Sequence, residues 1–349
     1  MNQPAESVAQ TSVETSPRPD GALREGRNAV PTGERSGTVH ALWRLTRPRF
    51  AFWLLWIPLI GYGFAHWDRA LDWTNLSGFA LLLPGWLLLN AGTMWLNAAL
   101  DAHETGALFA TPTRIPAGIG KYGYGALTAG VLTGFASSPW VGACAAGCAL
   151  LSVLYSHPAT AWKGHPVMGP LVNALGYGVL SACAGWSLVG VAMNLRTAIT
   201  LALLALWLLG ATFCAQAFQR DDDLRRGYRT LVVTHGPRAA LRAGRWCTSS
   251  AVGAVLVLTI IGFFPRLCLL ATPLFWVADQ WMRRWQRQPA GGGPRWAAGY
   301  IQRMLAGGLV YFALAYVDYL WDWREGGPVA GAATQWGGSD QAMPLPSQD

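Results

Sequence analysis

Three polar side chains with oxygen atoms that could bind a metal ion lie at the end of a long apolar run. Asn97, Asp101 and Glu104 follow one another at positions i, i+4 and i+7 in the stretch LNAALDAHET. On a helix this spacing places all three side chains on one face. Such groups are costly to carry toward lipid, because they lose hydration there. A chemical role is one interpretation of the cluster, and solvation at a membrane surface is the alternative.

A second cluster has the same character. Gln216, Gln219 and Asp223 lie at i, i+3 and i+7 at the end of another apolar run, with Asp222 beside them. If both clusters face one cavity, their carboxylates repel each other, and a divalent cation would relieve that repulsion. Oxygen donors suit Mg²⁺, which takes its remaining ligands from water and substrate phosphates. We expect Mg²⁺ to be held by four carboxylates: Asp101, Glu104, Asp222 and Asp223.

Basic side chains near both clusters fit a phosphate-bearing ligand. The planar guanidinium fork of Arg matches two phosphate oxygens, whereas Lys supplies a compact charge. The candidates are Arg114, Lys163, Arg220, Arg225, Arg226 and Arg229.

The composition indicates a polytopic membrane protein with an all-α fold. The chain of 349 residues is 52% hydrophobic and only 13% charged, against about 25% charged residues in ordinary soluble domains. Repeated apolar runs of about 20 residues are long enough to cross a bilayer as helices. We predict a bundle of about nine transmembrane helices around a central cavity. The predicted spans are 50–67, 77–100, 122–138, 140–157, 167–191, 196–218, 243–263, 266–283 and 300–320.

The two ends of the chain differ from the middle. Residues 1–40 and 323–349 are polar and hold no apolar run, so they cannot offset the entropy lost on ordering. We predict a disordered N-terminal tail over 1–40, a membrane domain over 41–322 and a polar C-terminal tail over 323–349.

The basic residues indicate the orientation. With nine spans, 22 of the 26 Lys and Arg residues fall on the side that holds the N-terminus and the loops after even-numbered spans. Cytoplasmic loops carry such an excess. The N-terminus and both polar clusters are therefore expected on the cytoplasmic side of a bacterial inner membrane. The net charge of +8 follows from this topology and needs no nucleic-acid partner.

Five stretches resemble motifs of the UbiA superfamily of intramembrane prenyltransferases. They are LTRPRF (45–50), NAALDAHE (97–104), TRIPAG (113–118), YSHPATAWKGHPVMG (155–169) and QAFQRDDDLRRGYRTLVVTHG (216–236). Their order and spacing carry the resemblance more than any single stretch does. The sequence departs from the family pattern at four positions, because Ala98, Thr105, Gln216 and Gln219 stand where many members carry Asp. Glu104, adjacent to Thr105, could substitute for the Asp missing there.

The resemblance implies a function and a set of site residues. It implies transfer of an isoprenyl group from an isoprenyl diphosphate to a lipophilic or aromatic acceptor, with Mg²⁺ assisting ionisation of the diphosphate. Aromatic side chains stabilise allylic cations, although packing or lipid contact is the simpler explanation for Trp95, Tyr177 and Trp186. The expected catalytic residues are Asn97, Asp101, Glu104 and Asp223, and the expected substrate-binding residues are Arg47, Arg114, Tyr155, Lys163, Gln216, Gln219 and Arg229.

Other functions remain open at the level of the sequence. A terpene cyclase of the same superfamily would ionise the same donor and capture the cation within its own chain. A lipid-binding or transport protein would also carry acids within its membrane region, but more often in the middle of spans.

Overall fold

The computed structural model describes residues 38–65, 76–101, 115–190, 192–288 and 291–324. Helices dominate these ranges, which contain no β-strand. The α-helices are α1 (Thr38–Leu45), α2 (Pro48–Ala65), α3 (Leu76–Asp101), α4 (Ile119–Ser137), α5 (Pro139–Ser156), α6 (Met168–Asn173), α7 (Ser181–Ser187), α8 (Leu195–Gln216), α9 (Arg220–Arg225), α10 (Leu231–Ile260), α11 (Thr272–Gln286) and α12 (Pro294–Arg324).

The fold is an all-α membrane bundle, as the sequence predicts. Within the described ranges, five helices are long and apolar enough to cross a membrane. They are α3, α5, α8, α10 and α12, each over all or most of its length. The count of nine spans stays a prediction.

Two of the expected spans differ in form from the prediction. The segment expected at 167–191 consists of α6, a π-helical segment over Ala174–Leu180, and α7. The segment expected at 243–263 begins earlier, because α10 starts at Leu231 and is kinked at Gly236, whose φ is 80°. Pro237 follows directly, and proline removes a backbone donor from a helix interior.

Close helix contacts depend on small residues, as they commonly do in membranes. A Cβ added at Gly61 in α2 would collide with the backbone carbonyl of Ala182 in α7, and one added at Gly185 would collide with that of Pro58. The two helices therefore approach backbone to backbone. This contact holds α2 against the π-helical region, and residues of both line the cavity described next.

Candidate active site

A central cavity of about 310 Å³ lies within the bundle. Its wall combines residues from α2, α3, α5, α8, α10 and α12 with the π-helical segment and two polar loops. Near the end of α8 the lining is polar and charged, whereas apolar and aromatic side chains line most of the rest. The apolar members include Trp53, Trp86, Trp207, Leu208 and Met304.

The second polar cluster lies on this cavity, but not on one continuous helix. Helix α8 ends at Gln216, the chain turns, and Gln219 becomes the residue that precedes α9. The backbone N–H of Gln219 donates to the carbonyl of Gln216 at 2.9 Å, and the N–H of Asp223 donates to that of Gln219 at 2.9 Å. Gln216, Gln219, Asp222 and Asp223 all line the cavity. A tight turn after Gln216 thus replaces the continuous helix that the spacing predicted. It keeps Gln216, Gln219, Asp222 and Asp223 on the same cavity.

Asp223 is held in place by a loop that folds back over it. Its carboxylate is only 7% exposed, and Oδ2 accepts a hydrogen bond of 2.6 Å from the hydroxyl of Thr230. The backbone N–H of Tyr228 donates to the carbonyl of Asp223 at 2.9 Å. Between them, Gly227 adopts a φ of 70°, a left-handed conformation that glycine adopts without steric cost. The turn therefore fixes the direction of the carboxylate.

Gln216 presents an unsatisfied oxygen. Its side chain is 6% exposed, and its buried Oε1 has no hydrogen-bond partner among the described residues. Leaving a buried acceptor unpaired costs about 1–3 kcal/mol. An oxygen in that state, in a residue that lines the same cavity as Asp223, matches the preference of Mg²⁺ for hard oxygen donors.

The donor set available for a metal is small but of the right kind. No group of three His, Cys, Asp or Glu residues suited to a metal occurs in the described part of the chain. Asp222 Oδ1 pairs with Arg225, so the Asp223 carboxylate and the Gln216 amide oxygen carry the fit. Because Mg²⁺ commonly uses only one or two carboxylates together with water and substrate phosphates, the residues present fit this ion.

Lys163 reaches the cavity from a separate loop. It lies in a 3₁₀ turn over Trp162–Gly164 and is 8% exposed. Its Nζ lies 5.8 Å from the centre of the Tyr228 ring, a distance typical of a cation–π contact. The backbone N–H of Arg229 donates to the carbonyl of Gly164 at 2.8 Å. These contacts join the Lys163 turn to the loop that follows Asp223.

The basic residues divide into those on the cavity and those elsewhere. Arg47, Lys163 and Arg226 line it. The side chain of Arg229 is exposed and is not among the described residues that line the cavity, although its backbone joins the two loops. Arg114 lies outside the described residues.

Only part of the first polar cluster is described. Asn97 lines the cavity, and its Oδ1 accepts a hydrogen bond of 2.6 Å from the hydroxyl of Ser156. Helix α3 ends at Asp101. The side chain of Asp101 and all of Glu104 lie outside the described part of the chain, so their expected role as metal ligands stays a prediction.

Two further expected residues line the cavity, Arg47 and Tyr155. Arg47 joins α1 to α2 with a φ of 54°, an uncommon conformation for a residue with a side chain. Residues kept in such conformations cluster at functional sites.

Among the aromatic candidates only Tyr177 lines the cavity within the described residues. It lies in the π-helical segment, a form of helix often found at functional sites, and its ring meets Phe50 edge-on at 6.4 Å. Trp95 instead donates to the carbonyl of Leu42 at 3.0 Å, and Trp186 is buried in an apolar cluster.

Sequence reasoning missed several residues of the cavity. Tyr228 and Thr230 follow directly after the second polar cluster, and their position in that stretch was the available signal. Asn90 lies seven residues before Asn97, on the same face of α3. Its Nδ2 donates to the carbonyl of Thr46 at 3.2 Å, but its buried Oδ1 has no partner among the described residues. No sequence signal indicates that an asparagine will be left half-satisfied.

Comparison with known proteins agrees with this geometry. The family model for the UbiA prenyltransferase family matches residues 54–301. Among curated proteins, none matches the chain significantly.

Solved structures share the fold at low identity. A UbiA homolog from Archaeoglobus fulgidus, solved with DMAPP and Mg²⁺, superposes with a TM-score of 0.59 at 16% identity over 80% of this chain and 99% of its own. The same homolog solved with GPP and Mg²⁺ gives 0.59 at 17% identity, again over 80% and 99%. A structure of digeranylgeranylglyceryl phosphate synthase gives 0.55 at 15% identity over 80% and 98%.

The family match covers well over half of the chain, and the apolar helices and polar-ended cavity are those of an integral membrane protein with this fold. The chain therefore belongs to the UbiA prenyltransferase family.

Proposed function

We propose that this protein is an intramembrane prenyltransferase that moves an isoprenyl group from an isoprenyl diphosphate to a lipophilic or aromatic acceptor. One observation carries the proposal. A single cavity joins a polar end, with Lys163, Arg226, Gln216 and Asp223, to a long apolar interior. An isoprenyl diphosphate has the same division between a charged head and an apolar tail.

The polar end is suited to hold the diphosphate. Lys163, Arg226 and Arg47 approach it from three different segments. Their positive charges oppose the charge of the phosphates, and the low polarity around them strengthens that attraction. The A. fulgidus homolog was solved with DMAPP or GPP and Mg²⁺, which supports the same class of donor here.

Gln216 and Asp223 would hold Mg²⁺, and Asp101 and Glu104 remain candidates from the sequence. Bound there, Mg²⁺ supplies positive charge that stabilises the leaving pyrophosphate. The chain itself contributes orientation, because Thr230 and the turn at Gly227 fix the Asp223 carboxylate. The basic residues stabilise the charge that develops on the bridging oxygen.

In the transfer step the bond between the allylic carbon and the bridging oxygen breaks, and its electron pair leaves with pyrophosphate. A carbon or hydroxyl oxygen of the acceptor then bonds to the allylic carbon and releases one proton. The apolar lining excludes water that would otherwise capture the cation. The aromatic face of Tyr177, which lines the cavity, stabilises positive charge near it.

An external acceptor fits the cavity better than internal cyclisation. Asn90 lines the cavity, and its buried Oδ1 has no partner among the described residues. A hydrocarbon tail offers no hydrogen-bond donor to satisfy it, whereas a phenol or alcohol does. We infer that the acceptor carries a hydroxyl group. The predominance of basic residues on one side supports an active site that opens to the cytoplasm.

The first test measures pyrophosphate release by the purified protein in nanodiscs. C10, C15, C20 and longer isoprenyl diphosphates are supplied with Mg²⁺, with and without a membrane lipid extract. Release that needs both Mg²⁺ and the extract is expected. Release without extract, accompanied by a cyclic or hydroxylated hydrocarbon, would identify a cyclase, and absence of release with every donor would overturn the proposal.

The same assay tests the assignment of Asp223. Asp223→Asn keeps the size of the side chain but removes its charge, so release should fall about 100-fold or more. Asp221→Asn is the matched control, because the side chain of Asp221 is 85% exposed and should leave the rate within about twofold of the wild type. Equal rates for both variants would remove Asp223 from the site.

A further inference from the structure

A second, smaller cavity of about 130 Å³ lies farther along the bundle. Its lining is almost wholly apolar, and one of its few polar groups, the Tyr311 hydroxyl, already shares a hydrogen bond of 2.8 Å with Thr259. Nothing in its lining can hold a charged head. Its described lining includes Ile60, Thr200, Leu204, Ala251 and Gly308.

The second cavity continues the first along four helices. On α12, Tyr300, Ile301, Met304 and Leu305 line the central cavity, and Gly308, Tyr311 and Phe312 line the second one a turn later. The same succession runs from Thr248 to Ala251 on α10 and from Ile57 to Ile60 on α2. On α8 it runs backward along the chain, from Leu208 to Leu204. The two cavities are therefore neighbours along the helix axes.

One side chain lies between them. Among the described residues, Trp207 alone lines both cavities. It is half-buried and packs against the apolar cluster that includes Tyr300 and Met304. Its large indole ring thus occupies the position at which the two spaces would otherwise join.

We propose that Trp207 sets the length of prenyl chain that the site accepts, and that the second cavity takes the end of a longer chain once the indole is removed. This inference rests on the proposed prenyl transfer, since it assigns the apolar interior to the donor's tail. Trp207 is then a specificity-determining residue that touches the tail and not the diphosphate.

Helix geometry gives the expected lengths. Trp207 lies nine residues before Gln216 on α8, an axial distance of about 14 Å at about 1.5 Å per residue. An extended isoprene unit adds four carbon–carbon bonds of about 1.5 Å, or about 5 Å of length. A C15 chain therefore fills the space up to Trp207. Thr200 lies seven residues beyond it, so the second cavity adds about 10 Å, enough for two further units.

The experiment compares donors of graded length in nanodiscs with Mg²⁺. Pyrophosphate release and the thermal stabilisation by each donor are measured for C10, C15, C20 and C25 isoprenyl diphosphates. The wild type should prefer C10 and C15. Trp207→Ala should raise the ratio of C20 to C15 in kcat/KM by about 10-fold or more, within the range that chain-length discrimination in apolar pockets reaches. Trp207→Phe should fall between the two.

Two further variants separate the route of the tail from general loosening. Trp246→Ala removes a tryptophan that is 74% exposed on α10 and should leave the length preference unchanged. Gly308 lines the second cavity, and a Cβ added there meets nothing within 4 Å. Adding Gly308→Phe to Trp207→Ala should refill the space and return the ratio to near the wild-type value.

The outcomes distinguish the inference from the function on which it rests. If the wild type releases pyrophosphate but neither Trp207 variant shifts the length preference, the tail runs elsewhere and the inference is wrong while the function stands. If Trp207→Ala shifts the preference and Gly308→Phe does not reverse it, the second cavity does not hold the tail. If no donor stabilises or reacts with the wild type, the proposed function and the inference both fail.

Discussion

At the scale of single residues, two residues that line the cavity each keep a buried side-chain oxygen without a partner in the described part of the chain. The oxygens belong to Gln216 and Asn90, both of which are less than 10% exposed. Folding alone gives no reason to keep them, because each costs about 1–3 kcal/mol when unsatisfied. Bound ligands that pair with these two oxygens would explain why the oxygens are kept. At Gln216 the Asp223 carboxylate on the same cavity favours a cation, and at Asn90 a hydroxyl donor would pair with the amide oxygen.

Gln216→Met tests the role of the amide oxygen. Methionine has a similar unbranched shape but no amide, so the Mg²⁺ concentration for half-maximal pyrophosphate release should rise about tenfold. The melting temperature without ligand should rise, since an unsatisfied polar atom is removed. Both are measured on the same preparation, by titration of Mg²⁺ and by thermal unfolding.

Gln302→Met provides the comparison, because Gln302 is exposed on α12. Neither its Mg²⁺ dependence nor its melting temperature should move appreciably. An unchanged Mg²⁺ requirement in Gln216→Met would remove the amide oxygen from the metal site.

At the scale of elements, the site depends on contacts between two loops, one before α6 and one after α9. The turn at Trp162–Gly164 and the loop after α9 are joined by the backbone bond from Arg229 to Gly164. They also pack directly, since a Cβ added at Gly164 would come within 2.6 Å of the Tyr228 ring. Lys163 and Asp223 therefore keep a fixed relation through backbone contacts, although they are far apart in sequence.

Gly164→Ala should separate these loops and move Lys163. Displacements of about 1 Å in a catalytic constellation can cost as much as 100-fold, so we expect kcat/KM for the donor to fall at least tenfold. The melting temperature should drop by only a few degrees, because the helices are untouched. Enzyme kinetics and thermal unfolding of the purified variant check both expectations.

Gly125→Ala is the matched substitution, since a Cβ at Gly125 in α4 meets nothing within 4 Å. It should keep full activity, and its helix should become slightly more stable because alanine has the higher helix propensity. Wild-type kinetics in Gly164→Ala would mean that the contact between the loops does not position Lys163.

At the scale of the whole molecule, charge and span number determine how the bundle lies in the membrane. Most Lys and Arg residues fall on one predicted side, which predicts that this side faces the cytoplasm. The polar end of the cavity contains Lys163, from the turn at Trp162–Gly164, and Arg226, which directly follows α9. The polar end of the cavity is therefore expected on the cytoplasmic side as well.

Fusions at the C-terminus test the span count. Nine spans put the two ends of the chain on opposite sides, so alkaline phosphatase fused after Asp349 should be active in a bacterial host and green fluorescent protein should stay dark. Eight spans would reverse both signals. Fusions after Gly227, in the loop between α9 and α10, should report the cytoplasm if six spans precede this loop. A periplasmic signal there would mean that an odd number of spans precedes it or that the orientation is inverted.

Much of this protein follows from local properties of its sequence. The length of the apolar runs predicts the helices, because a buried backbone in lipid must satisfy its own hydrogen bonds. The position of Gln216, Gln219 and Asp223 at the end of one such run predicts that they lie together near a membrane surface. The motifs around Asn97, Lys163 and Asp223 predict the family, which the family match confirms.

Only the tertiary structure shows which side chains pair and which line the cavity, because both depend on contacts between distant segments. Asn97 is paired with Ser156, 59 residues away, whereas the Oε1 of Gln216 has no partner among the described residues, and no local pattern distinguishes the two. Arg226 lines the cavity and Arg229 does not among the described residues, although both belong to the same short stretch of sequence. Ala98, a departure from the family pattern, is 2% exposed and does not line the cavity among the described residues. Trp207 lies between the two cavities only because four helices align there. Such a position is fixed by the packing of distant segments, which cannot be read from a single sequence.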